Sequence, residues 1–188
     1  MKNNNINTQS INIDNFINRM QREDKRNRKL MRGMFFVYLA CTIFYAALFI
    51  INPDPEISGV DRISGAFYVL AFLIGTWFFR WQYKTYKNLD YTLPLFNVLK
   101  KTEERYRFFN KRWYPVFIVV ILISVGITLN AYEHHKYFEA EPLTKILVIQ
   151  AVYWGIMFIS GLIGYFFWRK RSMPIWRGAK NLLEELKS

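Results

Sequence analysis

The run Glu133-His134-His135, with Glu139 and Glu141 close behind, is the one stretch of this sequence with the composition of a metal site. Imidazole and carboxylate are common zinc ligands, and a zinc site needs three or four that converge. If the stretch were helical, His135 and Glu139 would share a face. His134, His135 and Glu139 are therefore the candidate metal ligands, set against the plainer reading of a solvated loop. Asp54, Glu56 and Asp61 lack the spacing of a calcium loop and read as a solvated acidic loop. No HExxH, P-loop or GxGxxG occurs, and no Ser-His-Asp arrangement can be placed. The single cysteine, Cys41, cannot close an internal disulfide and reads as a packing residue. No catalytic residue and no cofactor are expected, and the chain reads as non-enzymatic.

The elements that would carry these residues are set by where charge is missing. Four stretches contain no Asp, Glu, Lys or Arg: Gly33–Pro53, Ile63–Phe79, Trp113–Tyr132 and Ile146–Trp168, of 21, 17, 20 and 23 residues. A helix crossing a bilayer core needs about 20 apolar residues, within roughly 17–25. Buried helices of soluble proteins seldom run so long without a polar face. Four transmembrane helices are predicted, near Met34–Ile51, Ile63–Phe79, Tyr114–Ala131 and Ile146–Phe167. Helices are expected because backbone polar groups must be satisfied within lipid. The first span follows 33 mostly polar residues and has no small-x-small site after it, unlike a cleaved signal peptide.

The fold class expected is an all-α polytopic membrane protein. Its four spans pair as two hairpins, with amphipathic cytoplasmic helices after spans two and four. The expected divisions are a 1–33 N-terminal segment, of which 1–12 is Asn-rich and disordered, a 34–168 membrane domain containing loop 80–112, and a 169–188 amphipathic tail.

Net charge, +12 over 188 residues with 52% hydrophobic content, resolves by segment. Between the four neutral spans it runs +5, −2, +6, −1 and +4. Lys and Arg number 23 on one side and three on the other, and they collect on the cytoplasmic side of membrane proteins. Both termini and the central loop are thus expected in the cytoplasm. A basic soluble protein would suggest nucleic acid. Here the charge lies beside membrane exits, where orientation and attraction to anionic lipid account for it, which argues against nucleic acid.

The basic segments also carry apolar periodicity. Ile13, Phe16, Ile17 and Met20 recur at helical spacing ahead of the basic run Arg22 to Arg32. After the break Asp90-Tyr91-Thr92-Leu93-Pro94, a stripe of Leu95, Val98, Leu99, Thr102, Tyr106 and Phe109 predicts a basic amphipathic helix. Met173-Pro174 then opens a segment where Ile175, Trp176, Ala179, Leu182, Leu183 and Leu186 share a face. The cations Lys84, Lys87, Lys100, Lys101, Arg107, Arg169, Lys170 and Arg171 form the expected surface for a partner or lipid. Small residues four apart mark helix-packing positions: Ala71 and Gly75, Ala151 and Gly155, Ser160 and Gly164. The order span, acidic loop, span, Phe-Phe, basic exit, Pro, amphipathic segment occurs twice, as a parallel duplication would produce.

The runs Asn52-Pro-Asp-Pro-Glu, Asp61-Arg62-Ile63-Ser64-Gly65 and Tyr83-Lys84 through Tyr86-Lys87 to Asp90-Tyr91 resemble small uncharacterised four-span bacterial inner-membrane proteins. The resemblance covers about half the chain. It implies an accessory or regulatory membrane component and assigns no functional residue. The partners expected are membrane lipid and a cytoplasmic protein, and the small-residue faces also suit a homo-oligomer. The alternative function is a small oligomeric transporter or channel subunit. The spans contain no Asp, Glu, His, Lys or Arg, which argues against ion coupling.

Overall fold

A computed structural model describes residues 2–108, 113–133 and 142–187, with side chains for 13–108, 113–133 and 143–187. Among the described residues there are five α-helices and no strand. They are α1 (Lys2–Tyr45), α2 (Gly59–Lys87), α3 (Leu95–Tyr106), α4 (Tyr114–Glu133) and α5 (Pro142–Glu185). A π-helical turn, Ala46–Ile51, closes α1, with the Asn52 N–H donating to the Ala47 carbonyl at 3.0 Å. Pro53 ends the helix because it lacks an N–H and drives the residue before it out of helical geometry.

Four of the helices (all but α3) are long and apolar enough to cross a membrane. Within their apolar windows only 6% to 22% of residues are buried by the chain itself. Many of the others, including Phe44, Leu73, Phe117 and Phe158, stand exposed. An apolar surface of that extent is stable when lipid covers it, so the chain has the character of a membrane protein.

Contacts divide the chain into two compact units: residues 1–30, 83–110 and 163–188 in one, 31–82 and 111–162 in the other. The second, apolar unit is held by small residues and hydroxyls. Ala71 is fully buried, and a side chain at Gly75 would run into the Tyr38 ring. At Gly126, an added Cβ would meet the Tyr68 ring at 2.6 Å. That close approach lets the buried Ser64 hydroxyl donate to the Gly126 carbonyl at 2.8 Å, tying α2 to α4. Thr42 and Thr76 meet at 3.3 Å between α1 and α2. Gln150 on α5 donates to Thr128 at 2.7 Å and accepts from Ser124 at 2.9 Å on α4.

The 52–62 loop departs from the solvated acidic loop expected. Asp61 is only 8% exposed. Its backbone N–H donates to Ser58 Oγ at 3.1 Å while its carboxylate accepts from the Ser58 N–H at 3.4 Å. This reciprocal pair satisfies two donors at the start of α2. Asn130 Nδ2 reaches the other Asp61 oxygen at 3.3 Å, so the acid also links α2 to α4. Asp54 caps its own turn, accepting from the Glu56 N–H at 3.0 Å.

The first, basic unit gathers the ends of α1, α2 and α5 with all of α3. Two apolar clusters form its core: Met20, Val98, Tyr106 and Ile175, then Leu99, Ala179 and Leu183. Here the tail differs from expectation. Met173-Pro174 opens no new segment, and α5 runs unbroken through Pro174 to Glu185. An internal proline costs about 3 kcal/mol in a helix. The burial of Ile175 and Ala179, both 0% exposed, just beyond it offsets that cost. The stripe expected to reach Phe109 ends as helix at Tyr106, and Phe109 lies outside the described residues.

Candidate functional site

Among the described residues of the basic unit, Asp24 is a buried acid that three side chains hydrogen-bond. It sits on the α1 face that buries Met20, one turn earlier, and is 2% exposed. Arg105 Nη2 donates to its Oδ2 at 2.8 Å, and the Tyr91 hydroxyl donates to the same oxygen at 2.8 Å. The Tyr106 hydroxyl donates to Oδ1 at 2.8 Å. A carboxylate accepts at both oxygens and donates at neither, so three converging donors are built for the ionised acid.

Local sequence explains how these donors arrive. Asp90 Oδ1 accepts from the Thr92 hydroxyl at 2.6 Å and the Thr92 N–H at 2.9 Å, a turn that presents Tyr91. Those bonds, the hydroxyl's first, hold the exposed Asp90 carboxyl below its ordinary range. Pro94 then starts α3, with its carbonyl accepting from Asn97 N–H at 2.8 Å. Arg105 and Tyr106 fall one turn beyond Thr102, on the buried face. At the end of α3, the Trp168 indole donates to the Tyr106 carbonyl at 2.9 Å, and the Phe108 ring packs on Trp168 at 4.8 Å.

Burial pushes the Asp24 carboxyl up, opposed first by the Arg105 charge and then by the tyrosine hydroxyls. Burial, reinforced by the Asp24 charge, raises both Tyr106 and Tyr91 well above the usual phenol range, so both stay neutral donors. The Arg105 guanidinium lies 5.4 Å from the Tyr106 ring centre and 6.0 Å from that of Tyr86. Its Nε has no hydrogen-bond partner. The cluster is a structural lock between α1 and α3.

Beside the lock opens a cleft of about 290 Å³ lined by Lys25, Arg28, Lys87 and Tyr86 among others. The eight cations expected at the surface, Lys84, Lys87, Lys100, Lys101, Arg107, Arg169, Lys170 and Arg171, are all exposed. The helix-packing residues divide. Ala71 and Gly75 are buried within the chain, whereas Ala151, Gly155, Ser160 and Gly164 are exposed, with open space at both glycines. His134, His135 and Glu139 lie outside the described residues. Among the described residues no group of three or more His, Cys, Asp or Glu could hold a metal.

Sequence reasoning does not single out Asp24 or Arg105. The signal available is Arg105 itself. It falls three residues after Thr102 on the apolar stripe, and a charge on a buried face demands a partner.

Comparison with protein-family models, with curated proteins and with solved structures finds no match for this chain.

Proposed function

We propose that this chain is a non-enzymatic integral membrane protein, accessory or regulatory, that engages a protein partner or anionic lipid through its basic unit. The observation that carries this reading is that the three basic segments, distant in sequence, fold into one unit with its own apolar core. Segments that served only to orient spans would need no shared core. Their exposed lysines and arginines then attract anionic partners. In this reading the spans pair as two hairpins in a bacterial inner membrane, with both termini, α3 and the end of α5 in the cytoplasm.

Two measurements test it together. Impermeant maleimide should label a cysteine placed at Lys100 only after inverted vesicles or lysis expose the cytoplasmic face, and one at Glu56 in intact spheroplasts. Crosslinking in native membranes should recover a recurring cytoplasmic protein, or the purified chain should prefer anionic over neutral lipid. Reversed labelling, or neither form of binding, overturns the proposal.

A further inference from the structure

The cleft beside the Asp24 lock carries more positive charge than its own walls neutralise. Its cations come from two helices: Lys25 and Arg28 from α1, Lys87 from α2. Asp24 is the one acid among its described lining residues, and that carboxylate is already engaged by Arg105, Tyr91 and Tyr106. Among the described residues no carboxylate forms an ion pair with Lys25, Arg28 or Lys87. Three cations therefore line one concave site that also includes the Asp24 and Tyr91 of the lock. Like charges brought together repel, and an anion seated among them would relieve that repulsion.

We propose that this cleft binds a phosphomonoester group, supplied by a lipid headgroup or by a soluble phosphate ester. A phosphomonoester carries about −1.5 to −2 charge near neutral pH and three strong acceptor oxygens, which matches one guanidinium and two ammonium groups. A volume of about 290 Å³ lies at the lower edge of small-molecule sites, so a phosphate with a small attached group suits it. Tyr86 and Tyr91 give the site partly apolar walls for that attached group. The lipid source rests on the proposed placement of the basic unit at an anionic membrane face; the soluble source does not.

The test uses the full chain in neutral phosphatidylcholine nanodiscs, as wild type, as K25Q/R28Q/K87Q, and as the control R19Q/R177Q/K187Q, which removes equal exposed charge elsewhere on the same unit. One arm dopes the discs with phosphatidic acid, with phosphatidylglycerol as the phosphodiester comparison, and counts retained lipid by native mass spectrometry. The other titrates glycerol phosphate and inorganic phosphate into undoped discs and follows thermal stabilisation. The cleft variant should lose phosphatidic acid retention, or phosphate-ester stabilisation, by about tenfold or more, with the control near wild type. Loss in the first arm assigns a lipid headgroup, and loss in the second alone a soluble ester. Equal loss in both variants overturns the site while leaving general anionic-lipid binding intact. No response of the wild type in either arm also overturns it. If the wild type retains anionic lipid no better than neutral lipid yet answers glycerol phosphate through the cleft, the cleft stands and the lipid-binding reading falls.

Discussion

Replacing Asp24 by Asn should unlock α3. Asn keeps the shape and one acceptor oxygen but puts an NH2 where Oδ2 accepts from Arg105 and Tyr91, each at 2.8 Å. Arg105, with 5% side-chain exposure, is then a buried cation without its counter-charge. Breaking a buried pair in this way costs about 3–5 kcal/mol. At about 1.4 kcal/mol per decade that is roughly 10²-fold more frequent opening at the lower end and over 10³-fold at the upper. The basic unit's core is two small clusters, so this loss is large beside what holds it. Hydrogen exchange by mass spectrometry on the full chain in detergent reads the effect directly. Amides of residues 98–106 should lose roughly 10²-fold to over 10³-fold protection in D24N, while those of 68–76 and 119–126 hold theirs. Arg105→Met should do the same by stranding the carboxylate. The double variant D24N/R105M should be less damaged than either single one, because no buried charge remains and the new amide can accept from Tyr106 and donate to the Tyr91 oxygen. The reasoning is refuted if D24N leaves α3 protection within about threefold of wild type, or if the double variant loses the sum of the singles.

Other expectations follow from the same geometry. Gly126→Ala should cost about 1–3 kcal/mol by driving into the Tyr68 ring, whereas Gly161→Ala, with open space around it, should leave the detergent melting temperature unchanged. Gln150→Leu removes the bonds to Ser124 and Thr128 and should cost about 0.6–1.7 kcal/mol in a steric-trapping measurement. Because the folded Tyr106 and Tyr91 hydroxyls titrate above the ordinary phenol value, their contribution is complete below about pH 10 and is lost as pH rises through the raised values. Tyr106→Phe should therefore leave the tyrosinate absorbance of the folded protein at about pH 10.5 unchanged; loss of one ordinary tyrosine's share of that signal would count against the lock.

The spans are legible in the sequence because their signal is an absence. Four charge-free runs of bilayer length need no tertiary knowledge to interpret, and the helices that contain them are where the runs lie. The basic unit is legible only in pieces. Val98, Leu99 and Thr102 announce a buried face, but its partner, Asp24, lies 81 residues from Arg105 and looks locally like one acid in a basic run. Within α1 its one mark is its place a turn beyond Met20 on the apolar face. Pro174 misleads for the opposite reason: a strong local breaker signal is overridden by the packing of Ile175 and Ala179. Asp61 reads as solvated because Asn130, which binds it from another helix, is far away in the chain.

The Met20 cluster joins residues from near both ends of the chain, with Ile175 closing it. A ribosome adding about 5–20 residues per second needs roughly 10–30 s to travel from one to the other. Until Ile175 is made, Met20 can draw its cover from this cluster only from Val98 and Tyr106. All four charge-free runs are synthesised before Ile175, so completion of this core reports that the four have been made. A chain stopped before Ile175 would leave Met20 without that part of its cover.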